Sequence, residues 1–202
     1  MDTDDFSSIV FEIFEKRITE NLKALNALNE RKKTFIQAVD KIYQCVKDDG
    51  LIMLCGNGGS SSTASHVVND FVIHMYFRRP PIRAISLVDN TATITALSND
   101  VGYDRIFSWQ VECYGNEGDV LLALSTSGNS RNVVLAAEAA MDRNISVIGF
   151  TNEDGGQLAE KADIWLPAGT EEGVCSEHMH LFTLHTVCEC VEYLLFNDYP
   201  SW

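Results

Sequence analysis

Two loops of this chain are furnished to hold an anion, and two helical stretches carry imidazoles and carboxylates within reach of one another. The first loop, Gly56-Asn57-Gly58-Gly59-Ser60, sits between an apolar run and a helical pattern. Its glycines let backbone N–H groups approach a ligand at the positive end of that helix. It is not the dinucleotide pattern G-x-G-x-x-G, and no Gly-Lys-Ser/Thr follows to make a P-loop. Alone it is a weak signal, because glycine-rich strand-to-helix turns are common. The second loop, Ser125-Thr126-Ser127-Gly128-Asn129-Ser130, is more specific. Four hydroxyls and a glycine ahead of a helix form a dense donor array for a phosphate. The competing reading is a helix N-cap, which needs one Ser or Thr rather than four.

The chain has only five histidines. His66 lies one turn before Asp70, which puts both on one helix face. The last helical stretch begins Ser176-Glu177-His178-Met179-His180 and reaches His185 two turns later. Imidazole and carboxylate both suit zinc, so these groups are candidate ligands. Helical spacing ranks His178 with His185 slightly above Glu177 with His185. The bland alternative is a set of surface or interface histidines.

These groups must be positioned by regular elements, and the apolar pattern supplies them. From Phe6 to about Asp48 the apolar positions recur at helical spacing, with polar punctuation around 29–33, so two helices are expected. Short buried runs follow at 51–55, 84–88, 120–124, 145–150 and 162–166. Between them lie helical patterns, including an alanine-rich one at about 132–141 and a last one at about 176–196. Strands alternating with helices predict one doubly wound, flavodoxin-like α/β domain over 1–202, with a parallel five-stranded sheet covered on both faces. Residues 1–48 would form an N-terminal helical arm and 49–202 the α/β core. The arm is too apolar to be solvated and is expected to pack on a second subunit. Both anion loops fall at the carboxyl ends of strands, where ligands bind in such sheets.

Composition narrows the partners. The 202 residues are 46% hydrophobic and 22% charged, with a net charge of −14. That balance argues against a nucleic-acid surface, which needs clustered Lys and Arg. It leaves room for a small phosphorylated substrate held by backbone N–H groups. The acidic start MDTDDFSSIVFEIFEKR does not read as a signal peptide, and no apolar run approaches the length that spans a bilayer. The six cysteines form no C-x-x-C pair and read as free thiols of a cytoplasmic protein.

Four segments together carry a family resemblance. Cys-Gly-Asn-Gly-Gly-Ser (55–60), Ser-Asn-Asp (98–100), Gly-Asp-Val-Leu-Leu-Ala-Leu-Ser-Thr-Ser-Gly-Asn-Ser (118–130) and Asp-Gly-Gly (154–156) resemble, in order and spacing, the signatures of the sugar isomerase (SIS) family. Within it the chain is most similar to the phosphoheptose isomerases, over nearly its whole length. The resemblance implies an aldose–ketose isomerase that converts sedoheptulose 7-phosphate to a glycero-manno-heptose 7-phosphate through an enediol, and a homotetramer. It implies that Asn57, Gly58, Gly59 and Ser60 cradle the substrate, that Asn99 and Asp100 reach sugar hydroxyls, and that Ser125, Thr126, Ser127 and Ser130 hold the phosphate. It implies a zinc ion on His66, Asp70, Glu177 and His185, with Glu177 also a substrate contact. Asp70 would be the catalytic base and His185 its acid/base partner. Two positions depart from the family: Asp70 stands where it has Glu, and Glu177 where it has Gln. Some members bind a partner without catalysis, as replication initiator-associating proteins do. They typically lack a histidine at the position of His185, which this chain keeps.

Overall fold

Successive residues of a strand point to opposite faces, and here that alternation sorts the whole core. The structure, a computed structural model, describes residues 3–200. Its strands are β1 (Ile52–Cys55), β2 (Ala84–Ser86), β3 (Val120–Leu124), β4 (Ser146–Thr151) and β5 (Ile164–Pro167). They lie in the order β2-β1-β3-β4-β5, and every neighbouring pair is parallel. This is the expected doubly wound, flavodoxin-like order, whose switch point lies between β1 and β3.

The helices are α1 (Thr3–Asn29), α2 (Lys32–Lys47), α3 (Gly59–Val72), α4 (Thr91–Asp100), α5 (Ser108–Tyr114), α6 (Arg131–Met141), α7 (Gly156–Lys161) and α8 (Gly173–Phe196). Ile52, Leu54, Leu122 and Ile148 face Ile42 of α2, Phe71 of α3 and Leu184 and Val187 of α8. The alternate residues Met53, Leu121, Ala123 and Val147 face Val111 of α5, Val133 and Ala137 of α6 and Leu158 of α7. Fully buried strands of this kind read as continuous apolar runs, which is why the sequence reveals them.

The expected elements are all present, with ends displaced by a few residues. β5 runs through Pro167, paired with Thr151, because an edge strand tolerates a residue without an N–H. α8 starts at Gly173, since the Glu172 carboxylate accepts from Cys175 N at 2.7 Å and caps the helix. Helix α5 and the 3-10 turn Tyr103–Arg105 fall where the sequence carried no expectation. All six cysteines are free.

The N-terminal helices divide into two roles. Ala38, Val39, Ile42 and Cys45 put α2 on the sheet as part of its cover. Ala24 docks the second half of α1 on Cys175 and Met179 of α8. The first half of α1 leaves Phe6, Phe11 and Phe14 exposed, at 55%, 65% and 62%.

Candidate active site between α3, α8 and the serine loop

The loops after β1 and β3 are built to meet. Gly58 is the N-cap of α3 at φ 55°, in the left-handed region that favours glycine. The amide of Asn57 pairs reciprocally with that of buried Asn132, the second residue of α6, with Nδ2 to Oδ1 distances of 2.8 and 2.9 Å. Tyr103 donates its hydroxyl to the same Asn57 Oδ1 at 2.8 Å. Helix α6 and the 3-10 turn Tyr103–Arg105 therefore fix one amide at the switch point.

The serine loop holds its own shape. Ser125 is buried, and its Oγ accepts from Ser130 N at 3.3 Å. Exposed Ser127 accepts from Asn129 N at 3.2 Å. A hydroxyl that accepts still has its O–H to donate. Ser130 is the N-cap of α6 yet makes no side-chain capping bond. The Ser130 hydroxyl is thus not spent on a cap, which favours the anion reading. Gly128, at φ 65°, presses on the loop after β4; a Cβ there would land on the carbonyl oxygen of Gly155. Thr126 O accepts from Asn152 N at 2.8 Å and ties the same two loops.

α3 and α8 run side by side in the same direction, and three successive contacts mark their register. Near the start, a Cβ on Gly59 would meet the Glu177 carboxylate. Further on, His66 Nε2 lies 2.8 Å from His185 Nε2. Beyond the end of α3, Glu192 accepts from the backbone of Met75 at 2.8 Å.

At the middle contact the structure brings together three predicted residues. Asp70 Oδ2 is 3.4 Å from His185 Nε2 and 3.8 Å from His66 Nε2. One ligand atom from each residue lies within 4.8 Å of the other two. Asp70 Oδ2 is buried with no hydrogen-bond partner. An orphaned carboxylate oxygen facing two imidazole nitrogens is a donor set that fits zinc or a similar cation. Cys188, buried on α8, does not join this group.

Glu177 does not join this group and instead lies two turns away against Gly59. His178, the rival that helical spacing preferred, turns to α1, where its Nδ1 is 3.1 Å from Asn21 Oδ1. His180 is buried, with Nε2 3.0 Å from Thr151 O. Its burial lowers the imidazole to about 4, so it is neutral. Asn99 and Asp100 hydrogen-bond each other at 2.7 Å on the exposed end of α4. Tyr103 and Asn132 escape sequence reasoning, since both act through Asn57 from distant segments.

The likeness to known proteins covers most of the chain. The chain matches the SIS domain over residues 14–152. It is 40% identical over 165 residues to a phosphoheptose isomerase of Laribacter hongkongensis, covering 80% of this chain and 84% of that one. A Shewanella phosphoheptose isomerase is 37% identical over 186 residues, 91% of this chain and 93% of its own. The solved phosphoheptose isomerase of Neisseria gonorrhoeae superposes with a TM-score of 0.83 at 34% identity, covering 93% of this chain and 98% of that one. That of Francisella tularensis gives 0.85 at 33% identity, over 95% and 98%. On its sequence and its fold together, the chain belongs to the SIS-domain family, among the phosphoheptose isomerases.

Proposed function

We propose that this chain is a cytoplasmic homotetramer that interconverts sedoheptulose 7-phosphate and a glycero-manno-heptose 7-phosphate. The observation that carries the reading is the convergence of Asp70 with His185 and His66 in a chain that also has a loop furnished for phosphate. Aldose–ketose isomerisation needs a base to move a proton between adjacent carbons and an acid/base to serve the two oxygens. Asp70 takes a proton from C1 of the ketose and returns it to C2 of the enediol. His185, 3.4 Å from that carboxylate, moves the accompanying proton between the oxygens on C2 and C1. Ser127, Ser130 and the first N–H groups of α6 hold the phosphate, with Ser125 and Thr126 shaping the loop. Asn57 and Glu177 face the sugar from the α3 side, together with Gly58, Gly59 and Ser60. Asn99 and Asp100 serve sugar hydroxyls from α4. His66, Asp70 and His185 would hold one zinc ion, with water completing the shell. An ion held by these residues would supply Lewis-acid polarisation of the substrate's carbonyl.

A non-catalytic sugar-phosphate binder would keep the serine loop and lose the base. The meeting of Asp70 and His185 favours the enzyme. The test is incubation of the purified protein with sedoheptulose 7-phosphate, with and without added zinc, following aldose product. No product under either condition overturns the reading.

A further inference from the structure

Helix α3 ends against a buried ion pair that the chemistry above does not use. The last carbonyls of a helix have no partner within it. Here Arg79 supplies one: its Nη2 donates to Asp70 O at 2.9 Å and its Nη1 to Phe71 O at 2.9 Å. A cation is also the favoured charge at a helix C-terminus. Nη1 reaches Pro80 O as well, at 3.0 Å. Arg79 Nε lies 3.6 Å from Glu192 Oε1, and both side chains are only 1% exposed. The same carboxylate accepts from the backbone N–H groups of Met75, Tyr76 and Phe77, at 2.8, 3.0 and 2.8 Å. The segment leaving α3 is therefore wound around a side chain of α8.

A buried pair of this kind adds little net stability over a well-packed apolar substitute. Its use must lie in what it fixes. Arg79 grips the peptide of Asp70 itself, while Glu192 sits two turns after His185 on the same face of α8. We propose that Arg79 and Glu192 are positioning residues, which clamp the end of α3 to α8 and so set the separation of Asp70 from His185 and His66. The inference rests on the isomerase reading for what the cluster does. Without the clamp, α3 slides or frays at its last turn, where Asp70 lies, while the serine loop after β3, tied to the loop after β4, keeps its place.

Two variants and a control test this. Arg79→Lys keeps the charge but loses the planar fork that spans two carbonyls. The double variant Arg79→Met with Glu192→Leu replaces the pair by apolar groups, a change that buried pairs tolerate in folding. Val147→Ala, on the opposite face of the sheet, supplies a comparable loss of melting temperature away from both helices. In both clamp variants kcat for sedoheptulose 7-phosphate should fall by about tenfold to a hundredfold, with KM changed less than about twofold. Zinc binding to the metal-free protein, measured by calorimetry with the metal alone, should weaken by about tenfold or more. The imidazole NMR signals of His66 and His185 should shift while those of His178 stay. Val147→Ala should leave all of these readouts unchanged. A folded clamp variant with native kcat, zinc affinity and imidazole signals overturns the proposal, and so does a control whose losses match. Loss of the fold in both clamp variants also overturns it, making the pair a folding element. If the native protein does not isomerise the sugar, the isomerase reading fails alone, and the zinc and imidazole readouts still decide the clamp.

Discussion

His66 and His185, 119 residues apart in sequence, place their Nε2 atoms 2.8 Å from each other, with the buried Oδ2 of Asp70 within 3.8 Å of both. Two ring nitrogens this close share one proton or one cation, and the carboxylate oxygen has no other partner. Asp70→Asn keeps the shape and removes both the base and the anionic ligand. Turnover of sedoheptulose 7-phosphate should fall by at least about a hundredfold, while binding of the sugar phosphate changes little. Full activity in this variant would end the assignment of Asp70 as base.

His185→Ala removes a ligand and the acid/base partner together. Metal content and activity should both drop, and a chelator should reproduce the loss of metal without touching the fold. Melting curves with and without chelator, read beside elemental analysis, check this. Undiminished metal content in His185→Ala would place the ion elsewhere.

The serine loop separates into scaffold and contact. Ser127 is exposed and Ser125 is buried, with its oxygen holding Ser130 N. Ser127→Ala should weaken sugar-phosphate affinity by about tenfold, the loss of one hydrogen bond to a charged acceptor, at unchanged melting temperature. Ser125→Ala should lower both, by about 1 kcal/mol in stability, because it removes the acceptor of the partly buried Ser130 N–H. Calorimetry and thermal melts on the pair distinguish the roles. Equal behaviour of the two variants would contradict them.

Much of this was legible beforehand because it is local. A fully buried strand followed by a glycine or serine loop and a helix is written in one contiguous segment, as at β1 and β3. His66 and Asp70 share a face by spacing alone. Spacing ranks His178 slightly above Glu177, yet neither joins the group, since the outcome depends on which neighbour each meets: Gly59 of α3 for Glu177, Asn21 of α1 for His178. Tyr103, Asn132 and the Arg79–Glu192 pair were unreadable for the same reason. Each matters through a partner from a distant segment, and nothing in its own surroundings marks it. Helix α5 was missed because its buried face, Ser108, Gln110 and Val111, is largely polar and shows no apolar period.

The first half of α1 displays Phe6, Phe11 and Phe14 on a helix whose second half is docked. Apolar exposure on that scale marks a protein interface. Light scattering at micromolar concentration should give about four times the chain mass. The double variant Phe11→Glu with Phe14→Glu should reduce that mass while leaving the sheet's cover intact, as far-UV circular dichroism would record. A native monomer, or an unchanged mass in the variant, would refute the interface.

His180 gives the fold a pH dependence of its own. The ring is buried with Phe150 against its edge, 3.0 Å from Thr151 O through Nε2, while Nδ1 has no partner. That arrangement requires Nε2 to carry the proton and Nδ1 to stay bare. Burial drives the ring's pKa down from 6.5 to about 4, with the bond to Thr151 opposing it only in part. Between these values the unfolded chain holds a proton on this ring that the folded one does not. Stability from this group is therefore complete above about pH 6.5 and is lost as pH falls toward 4. The slope is about 1.4 kcal/mol per pH unit, or roughly 3 kcal/mol over the window. His180→Gln retains a donor for Thr151 and cannot titrate. Urea unfolding of both proteins between pH 7 and 4.5 should show a flatter decline in the variant, by about one proton's worth. Carboxylates contribute equally to both curves, so the difference isolates the ring. Parallel curves would mean that His180 is charged in the folded protein, or that its site opens to water before the fold gives way.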